Sequence, residues 1–595
     1  MSKAFYLRLA LANLRRDKRT YLPHIIATAV ISGVYLLIAG LMFSTGLSNV
    51  PSGETAQTMF RFGIVVFSIF AFFFMLYINN FLIGRRKKEF GLYGVLGLEK
   101  RHVGRVLVWE NLFTLGAGVL LGAACALIFG RLIFYLLLKL IHTAPGSDFT
   151  ISGFAYLLTA LLFGSIFVFT SIVNVLRVRL VSPMELMKSS KKGEKESKLL
   201  WPIALIGLLF MGAAYYLAWT LDEPGVALGL FFPLAILVIF ATNFLFTSGS
   251  VALLKTLKAN KRLYYRPGSF IAISGMIQRM KQNARSLATI CILSTMLVVT
   301  ISGTLSLYLG KEEMLKKLNP FDLRFSCYVY AQQTGDREGQ EMDEEKAAEF
   351  KRLMQQAVRE VAAQYGVEII ADESKLISEA EAKALGMEYH NDLVYYEPGQ
   401  IRVENGFLNN GDRLMCDFDV DQETGLAMTQ AMYDRIMENK KAIQLEGYEY
   451  HYFWSSIYTA RQENYALYGG LLFLGAFFGL LFLAVTVLII YFKQISEGYE
   501  DKAQFEIFRK VGMDDKQIKS TINEQVLWVF FIPLGTTLVH MVFASKIMSV
   551  MLRSFSLNDY GLVLTCIGVV CALFAALYLA VYALTARVYY NIVRA

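Results

Sequence analysis

The sequence predicts an α-helical polytopic membrane protein: ten transmembrane helices, two related halves, and an α/β extracellular domain between helices 7 and 8. Three observations predict it. Of 595 residues, 55% are hydrophobic, and the mean hydropathy is +0.44, a balance soluble domains do not reach. Ten apolar stretches of spanning length fall near 23–45, 60–83, 108–138, 151–176, 200–220, 227–252, 286–309, 466–492, 523–548 and 561–586,. One short pattern of aromatic, aliphatic and glycine residues occurs in both halves.

The first copy lies in Gly84–Asn111, GRRKKEFGLYGVLGLEKRHVGRVLVWEN. Phe90, Leu92, Tyr93 and Leu96 form one amphipathic turn pattern, and Gly97 is placed to end the helix,. The second copy, residues 503–525, aligns Phe505, Ile507, Phe508, Val511 and Gly512 with them, and Asp514 with Glu99. Composition alone could make two juxtamembrane helices similar, but here the glycine and the acid keep register too. The copies imply two halves of shared architecture.

Charge sets the expected topology. Arg85, Arg86, Lys87, Lys88, Lys100, Arg101 and Arg105 crowd the first loop, and 254–285 carries eight bases and no acid. Short basic loops stay in the cytoplasm, so both termini, 84–106, 177–199 and 254–285 are expected inside. Residues 3–14 read as an amphipathic helix on the inner leaflet, with Phe5, Leu9 and Ala12 on its apolar side. No cleavage pattern follows the basic Arg15–Arg19 cluster, so the N-terminus does not read as a cleavable signal. The long third span carries Arg131 near its end, expected to snorkel to the interface.

Residues 311–462 hold 29 acids against 17 bases, leaving +21 for the rest of a chain whose net charge is +9. This stretch is expected outside. The spacing predicts a helix over 343–364, with Ala347, Phe350, Met354, Ala357, Val358 and Val361 on one face and Gly366 near its end. Strands are expected at 367–370 and 392–396, and a second helix at 425–442. The boundaries expected are 1–20 for the N-terminal helix, 21–176 for the first four spans, 177–199 for a linker, 200–253 for spans 5 and 6, 254–285 for a basic loop, 286–309 for span 7, 310–464 for the extracellular domain, and 465–595 for the last three spans.

The missing chemistry is equally informative. The Gly310–Lys311 pair is followed by Glu312, not by the Ser or Thr that a phosphate loop needs,; no ATP or magnesium site is expected on this chain. His390, Glu449 and His451 lie in the insert without a second ligand pair, so no metal site is expected. Spans nearly free of acids argue against ion-coupled transport. Asn174 and Asn243 read as helix–helix hydrogen bonds, and Gly118–Gly122 as a close-packing motif. Cys125, Cys291, Cys566 and Cys571 read as packing residues in spans; Cys327 and Cys416 in the insert could pair, though two free thiols fit a domain with no other staple better. Basic residues flanking spans point to anionic lipid, not nucleic acid.

RRKKEFGLYGVLGL resembles the cytoplasmic segment of FtsX-like ABC transporter permeases. The ten-span layout with a late insert, ANLRRDKRTYLPH near the N-terminus and NPFDLRF at 319–325 are similar to the Bce-type branch, associated with bacitracin and antimicrobial-peptide resistance. The resemblance implies two FtsX-like units and a non-catalytic membrane subunit driven by a separate ABC ATPase, in two copies, that binds ATP and Mg. It further implies a membrane sensor histidine kinase and, as target, a cell-wall-active peptide such as bacitracin or a lantibiotic, often with a lipid-linked precursor. Phe90, Leu92, Tyr93, Leu96, Gly97, Phe505, Ile507, Phe508, Val511 and Gly512 are then the ATPase-coupling residues; ligand residues within 310–464 are not specified. In the second copy Glu506 and Arg509 replace Gly91 and Gly94, which puts equal ATPase contacts in doubt. The alternatives are a non-transporting signalling scaffold for a kinase, an FtsX-like regulator of wall hydrolases, and a lipid-extrusion permease; the span count disfavours the last two.

Overall fold

The computed structural model describes residues 3–50, 52–95, 97–143, 149–180, 200–259, 267–319, 322–331, 344–369, 389–390, 393–394, 406–410, 413–440, 448–510 and 515–594. In chain order the helices and strands are α1 (Lys3–Arg16), α2 (Lys18–Met42), α3 (Thr45–Ser48), α4 (Gly53–Arg85), α5 (Lys87–Val95), α6 (Lys100–Leu140), α7 (Gly153–Leu180), α8 (Leu200–Thr220), α9 (Pro224–Phe244), α10 (Ser250–Ala259), α11 (Pro267–Leu318), β1 (Leu323–Ala331), α12 (Glu344–Gln364), β2 (Tyr389–His390), β3 (Leu393–Val394), β4 (Gly406–Asn410), β5 (Arg413–Phe418), α13 (Gln422–Lys440), β6 (Tyr448–Ser456), α14 (Ile457–Lys510), α15 (Asp515–Arg553) and α16 (Tyr560–Arg594). A π-helical turn, Leu245–Gly249, joins α9 to α10. The chain divides into two compact units, Met1–Tyr308 with Leu467–Ala595, and Leu309–Ala466.

Among the described residues, ten helices are long and apolar enough to cross a membrane, and each overlaps one of the ten stretches read from the sequence. Their outward surfaces carry large apolar side chains, among them Phe62, Leu120, Ile128 and Phe232, as surfaces facing hydrocarbon must. Helices α2 and α6 pack closely. A Cβ on Gly118 would lie 2.5 Å from that of Thr28, and one on Gly122 would lie 2.5 Å from the Ala29 carbonyl oxygen. The two glycines therefore remove the side chains that would hold the backbones apart. Asn79 and Asn174 exchange two amide hydrogen bonds of 2.8 and 3.0 Å between α4 and α7. His540 on α15 shares hydrogen bonds with Tyr215 of α8 (2.6 Å) and Thr242 of α9 (3.1 Å).

Helix α1 buries Tyr6, Ala10 and Asn13, with Tyr6 and Ala10 packed against Val106 of α6 and Leu9 beside them, while Phe5 and Ala12 face outward. The helix spends its best-packed face on the neighbouring span. One expectation needs correction here. Cys125 is exposed on the bundle surface and does not pack the interior, whereas Cys291 and Cys566 do.

The second unit is built on a four-stranded antiparallel sheet of order β4-β5-β1-β6. Leu323 and Phe325 of β1 and Cys416 and Phe418 of β5 point to one face, as the two-residue period requires. Met354, Val358 and Val361 of α12 and Met428 and Met432 of α13 close the core over them. Helix α12 ends at Gly366, whose φ of +70° is open to glycine without strain; the Val367 amide donates to the Ala362 carbonyl at 2.9 Å,. Residues 367–369 are not a strand: they follow this cap, and Val367 and Ile369 pack against the core from a loop. Of the 392–396 strand, Leu393–Val394 is observed, paired with Tyr389–His390. Arg324 and Asp417 sit opposite one another on β1 and β5, joined at 2.5 and 2.6 Å. Cys416 is buried and in register with Phe325. The 181–199 part of the linker lies outside the described residues.

Candidate functional site

The first repeat segment folds as a helix, a break and a second short helix. Helix α4 stops at Arg85, Arg86 leaves helical geometry, and α5 restarts at Lys87. Helix α5 ends at Gly97, whose φ is +89°. The Leu98 amide donates to the Tyr93 carbonyl at 2.9 Å, and the Gly97 amide to that of Gly94 at 3.3 Å. Both bonds belong to a glycine-terminated helix end. Leu96 lies outside the described residues.

Phe90 and Leu92 part company on this helix. Phe90 is 4% exposed and packs with Ile83, Val103, Leu107 and Val178, joined by Tyr93 and Leu98. Leu92 is 50% exposed. Phe90 is therefore part of the core that seats α5 on α4, α6 and α7, which corrects the expectation that its ring is offered to a partner.

Beneath α5 lies a charged network that reading by segment did not find. The Arg86 and Glu110 side chains are each 3% exposed. Arg86 Nη1 donates to Glu110 Oε2, and Nη2 donates to Oε1 at 3.2 Å. Arg86 Nε donates to Glu89 Oε2 on α5 at 2.8 Å. Asn13 of α1 donates to Glu110 Oε1 at 2.7 Å, and Tyr93 Oη donates to Asn13 Oδ1 at 3.3 Å. The guanidinium lies 5.1 Å from the Phe90 ring centroid and 5.4 Å from that of Tyr21. Burial pulls the Arg86 pKa down, but Glu110 above all, with Tyr21 and Glu89, more than offsets it and holds the guanidinium charged, above its ordinary value. One buried arginine thus ties α5 to α6 and, through Asn13, to α1.

The start of α6 is pinned separately. Tyr6 Oη and His102 Nδ1 share a 2.5 Å hydrogen bond, the two rings stack, and Arg105 lies over Tyr6. The signal for the network was in the sequence: Glu110 is an acid at the entry of an apolar run, where an acid needs a partner.

The second segment differs. Helix α14 continues unbroken for 54 residues to Lys510, so Phe505, Ile507 and Phe508 sit on the extension of a span, not on a separate helix. Their side chains, and Val511 and Gly512 altogether, lie outside the described residues. Among the described residues no cluster of His, Cys, Asp and Glu could hold a metal ion.

Comparison with known proteins agrees with this geometry. Residues 61–183 and 476–589 each match the family model described as FtsX-like permease C-terminal. From 61 to 476, and from Phe90 to Phe505, is the same step of 415 residues. The two matched segments, one in each half, give the chain two stretches similar to FtsX-like permease units. The chain is also 22% identical to the bacitracin export permease protein BceB of Bacillus subtilis (strain 168), over 90% of this chain and 92% of that one. It is 22% identical to the uncharacterized ABC transporter permease YvcS of the same organism, over 92% and 94%. BceB of Halalkalibacterium halodurans is 23% identical over 90% and 92%. By these matches and by its ten helices of spanning length among the described residues, the chain is similar to multi-pass ABC transporter permeases of the FtsX-like kind.

Proposed function

We propose that this permease confers resistance to cell-wall-targeting antimicrobial peptides of the bacitracin or lantibiotic kind, and reports their presence to a membrane sensor histidine kinase. A separate ABC ATPase, in two copies, supplies the energy by binding and hydrolysing ATP with Mg. It docks on α5 through Leu92 and neighbouring outward positions, and on the Phe505–Gly512 segment. Both termini and the docking segments are cytoplasmic, and Leu309–Ala466 is outside, where peptide and lipid-linked precursor are met. One observation carries this reading: similarity to bacitracin export permeases runs over nine-tenths of both chains, through the insert as well as the permease units.

Deleting the gene tests it. Sensitivity to bacitracin or to a lantibiotic is expected to rise; unchanged sensitivity across a panel of such peptides refutes the assignment. Inactivating the ATPase separates transport from signalling. Loss of resistance is expected, and resistance that persists favours a scaffold that only signals.

A further inference from the structure

The two permease units are not mechanical equals, and the difference lies at Arg86 and Glu110. The step of 415 residues that aligns the two repeat copies, Phe90 with Phe505 and Val103 with Ile518, places Asp501 where Arg86 stands and Gln525 where Glu110 stands. The second unit therefore lacks both charges of the buried pair. It also lacks the helix break. Helix α4 gives way to α5 at Arg86, but α14 runs straight through Asp501 to Lys510. Two independent features, one of sequence and one of backbone, separate the units at the same position.

The break explains why a clamp is needed. A nine-residue helix does not hold itself in water or at an interface. Helix α5 must be held by its surroundings, and Arg86 joins it to them: it binds Glu110 on α6 while it bonds Glu89 and lies near the Phe90 ring, both on α5. The segment at the end of α14 is the continuation of a span and needs no such clamp.

We propose that Arg86 and Glu110 are positioning residues that lock the first coupling helix onto the third span, and that the second coupling segment transmits force through an unbroken helix without an equivalent lock. The ATPase pair would then meet one clamped and one continuous element. This rests on the reading of α5 and the α14 end as ATPase docking sites.

Hydrogen exchange on the purified full-length chain in mild detergent tests the clamp without the ATPase. In Glu110→Gln, amides of residues 87–95 are expected to exchange about tenfold faster, while the α14 end is unchanged. The second-unit counterpart, Gln525→Ala, is expected to leave both segments unchanged. Arg86→Met combined with Glu110→Leu removes both charges without leaving either one buried alone; it is expected to elute as a single species and still show the loosened α5. Unchanged exchange at 87–95 in a folded variant overturns the proposal, and so does an equal loosening from Gln525→Ala. Capture of the ATPase is scored in parallel. If the unsubstituted chain captures none, the docking reading falls, while the exchange result still decides the clamp. If it captures ATPase and Glu110→Gln captures as much but confers at least tenfold less peptide resistance, the lock is needed for coupling. Full resistance in that variant overturns its coupling role.

Discussion

Phe90 and Leu92, two residues apart on α5, face opposite ways: Phe90 is held among Ile83, Val103, Leu107 and Val178, and Leu92 stands half exposed. A deletion at each position should therefore fail differently. Phe90→Ala opens a cavity in the seat of α5 and is expected to cost about 3 kcal/mol, read as a lower unfolding temperature in detergent. Leu92→Ala is expected to stay within about 0.5 kcal/mol of the parent while capturing less ATPase. If Leu92→Ala captures ATPase normally, the outward face of α5 is not the docking surface.

The α2–α6 contact supports a sharper stability test. Gly122 has the Ala29 carbonyl oxygen and the Gly33 amide nitrogen within 2.8 Å of where a Cβ would sit. Both are backbone atoms, which cannot swing aside. Gly122→Val is expected to destabilise the fold by about 1–3 kcal/mol. Gly116, with nothing near its missing Cβ, should accept alanine without loss. Equal tolerance at both positions, measured by thermal unfolding, would show that the helices can separate.

The spans, the repeat and the glycine end of α5 were legible because each is a local pattern: length and apolarity for a span, a left-handed residue for Gly97. The helices of the second unit were legible from the spacing of Met354, Val358 and Val361. Its sheet was not. Strand β1 finds its partners about a hundred residues away, at Arg413–Phe418 and Tyr448–Ser456, and pairing at that separation leaves no local signature. VEII had the composition of a strand but follows directly on a helix cap. The Arg86–Glu110 pair was hidden for a related reason. Arg86 read as one more topogenic charge among Arg85, Lys87 and Lys88, and only the fold distinguishes the arginine that turns inward.

Topology gives a test that does not depend on any ligand. The basic loops at 84–106 and 254–285 are expected inside, and Leu309–Ala466 outside. Alkaline phosphatase fused within the 332–343 stretch is expected to be active, and fused after Lys88 to be inactive. The reverse pattern would place α5 on the side that ATP does not reach, and would remove the ATPase-docking reading with it.

The second unit should weaken in acid by a route the structure identifies. Asp421 precedes α13, and its carboxylate accepts the Thr424 amide at 2.8 Å, the bond of a helix N-cap. Hydrogen bonds from Thr424 hold its pKa below the ordinary aspartate value. A depressed pKa means that the folded state binds its proton less readily than the unfolded chain, so the cap stabilises at neutral pH. Its contribution begins to fade near the unfolded value of about 3.9 and is lost as pH falls through the lower folded value. Asp421→Asn keeps an acceptor and removes the titration; Asp421→Ala removes both. At neutral pH the amides of Gln422–Lys440 are expected to exchange faster in Asp421→Ala than in the parent, with Asp421→Asn close to the parent. On acidification the gap between parent and Asp421→Ala should narrow. A gap that stays constant down through the carboxylate range would mean that the carboxylate charge contributes nothing to holding α13.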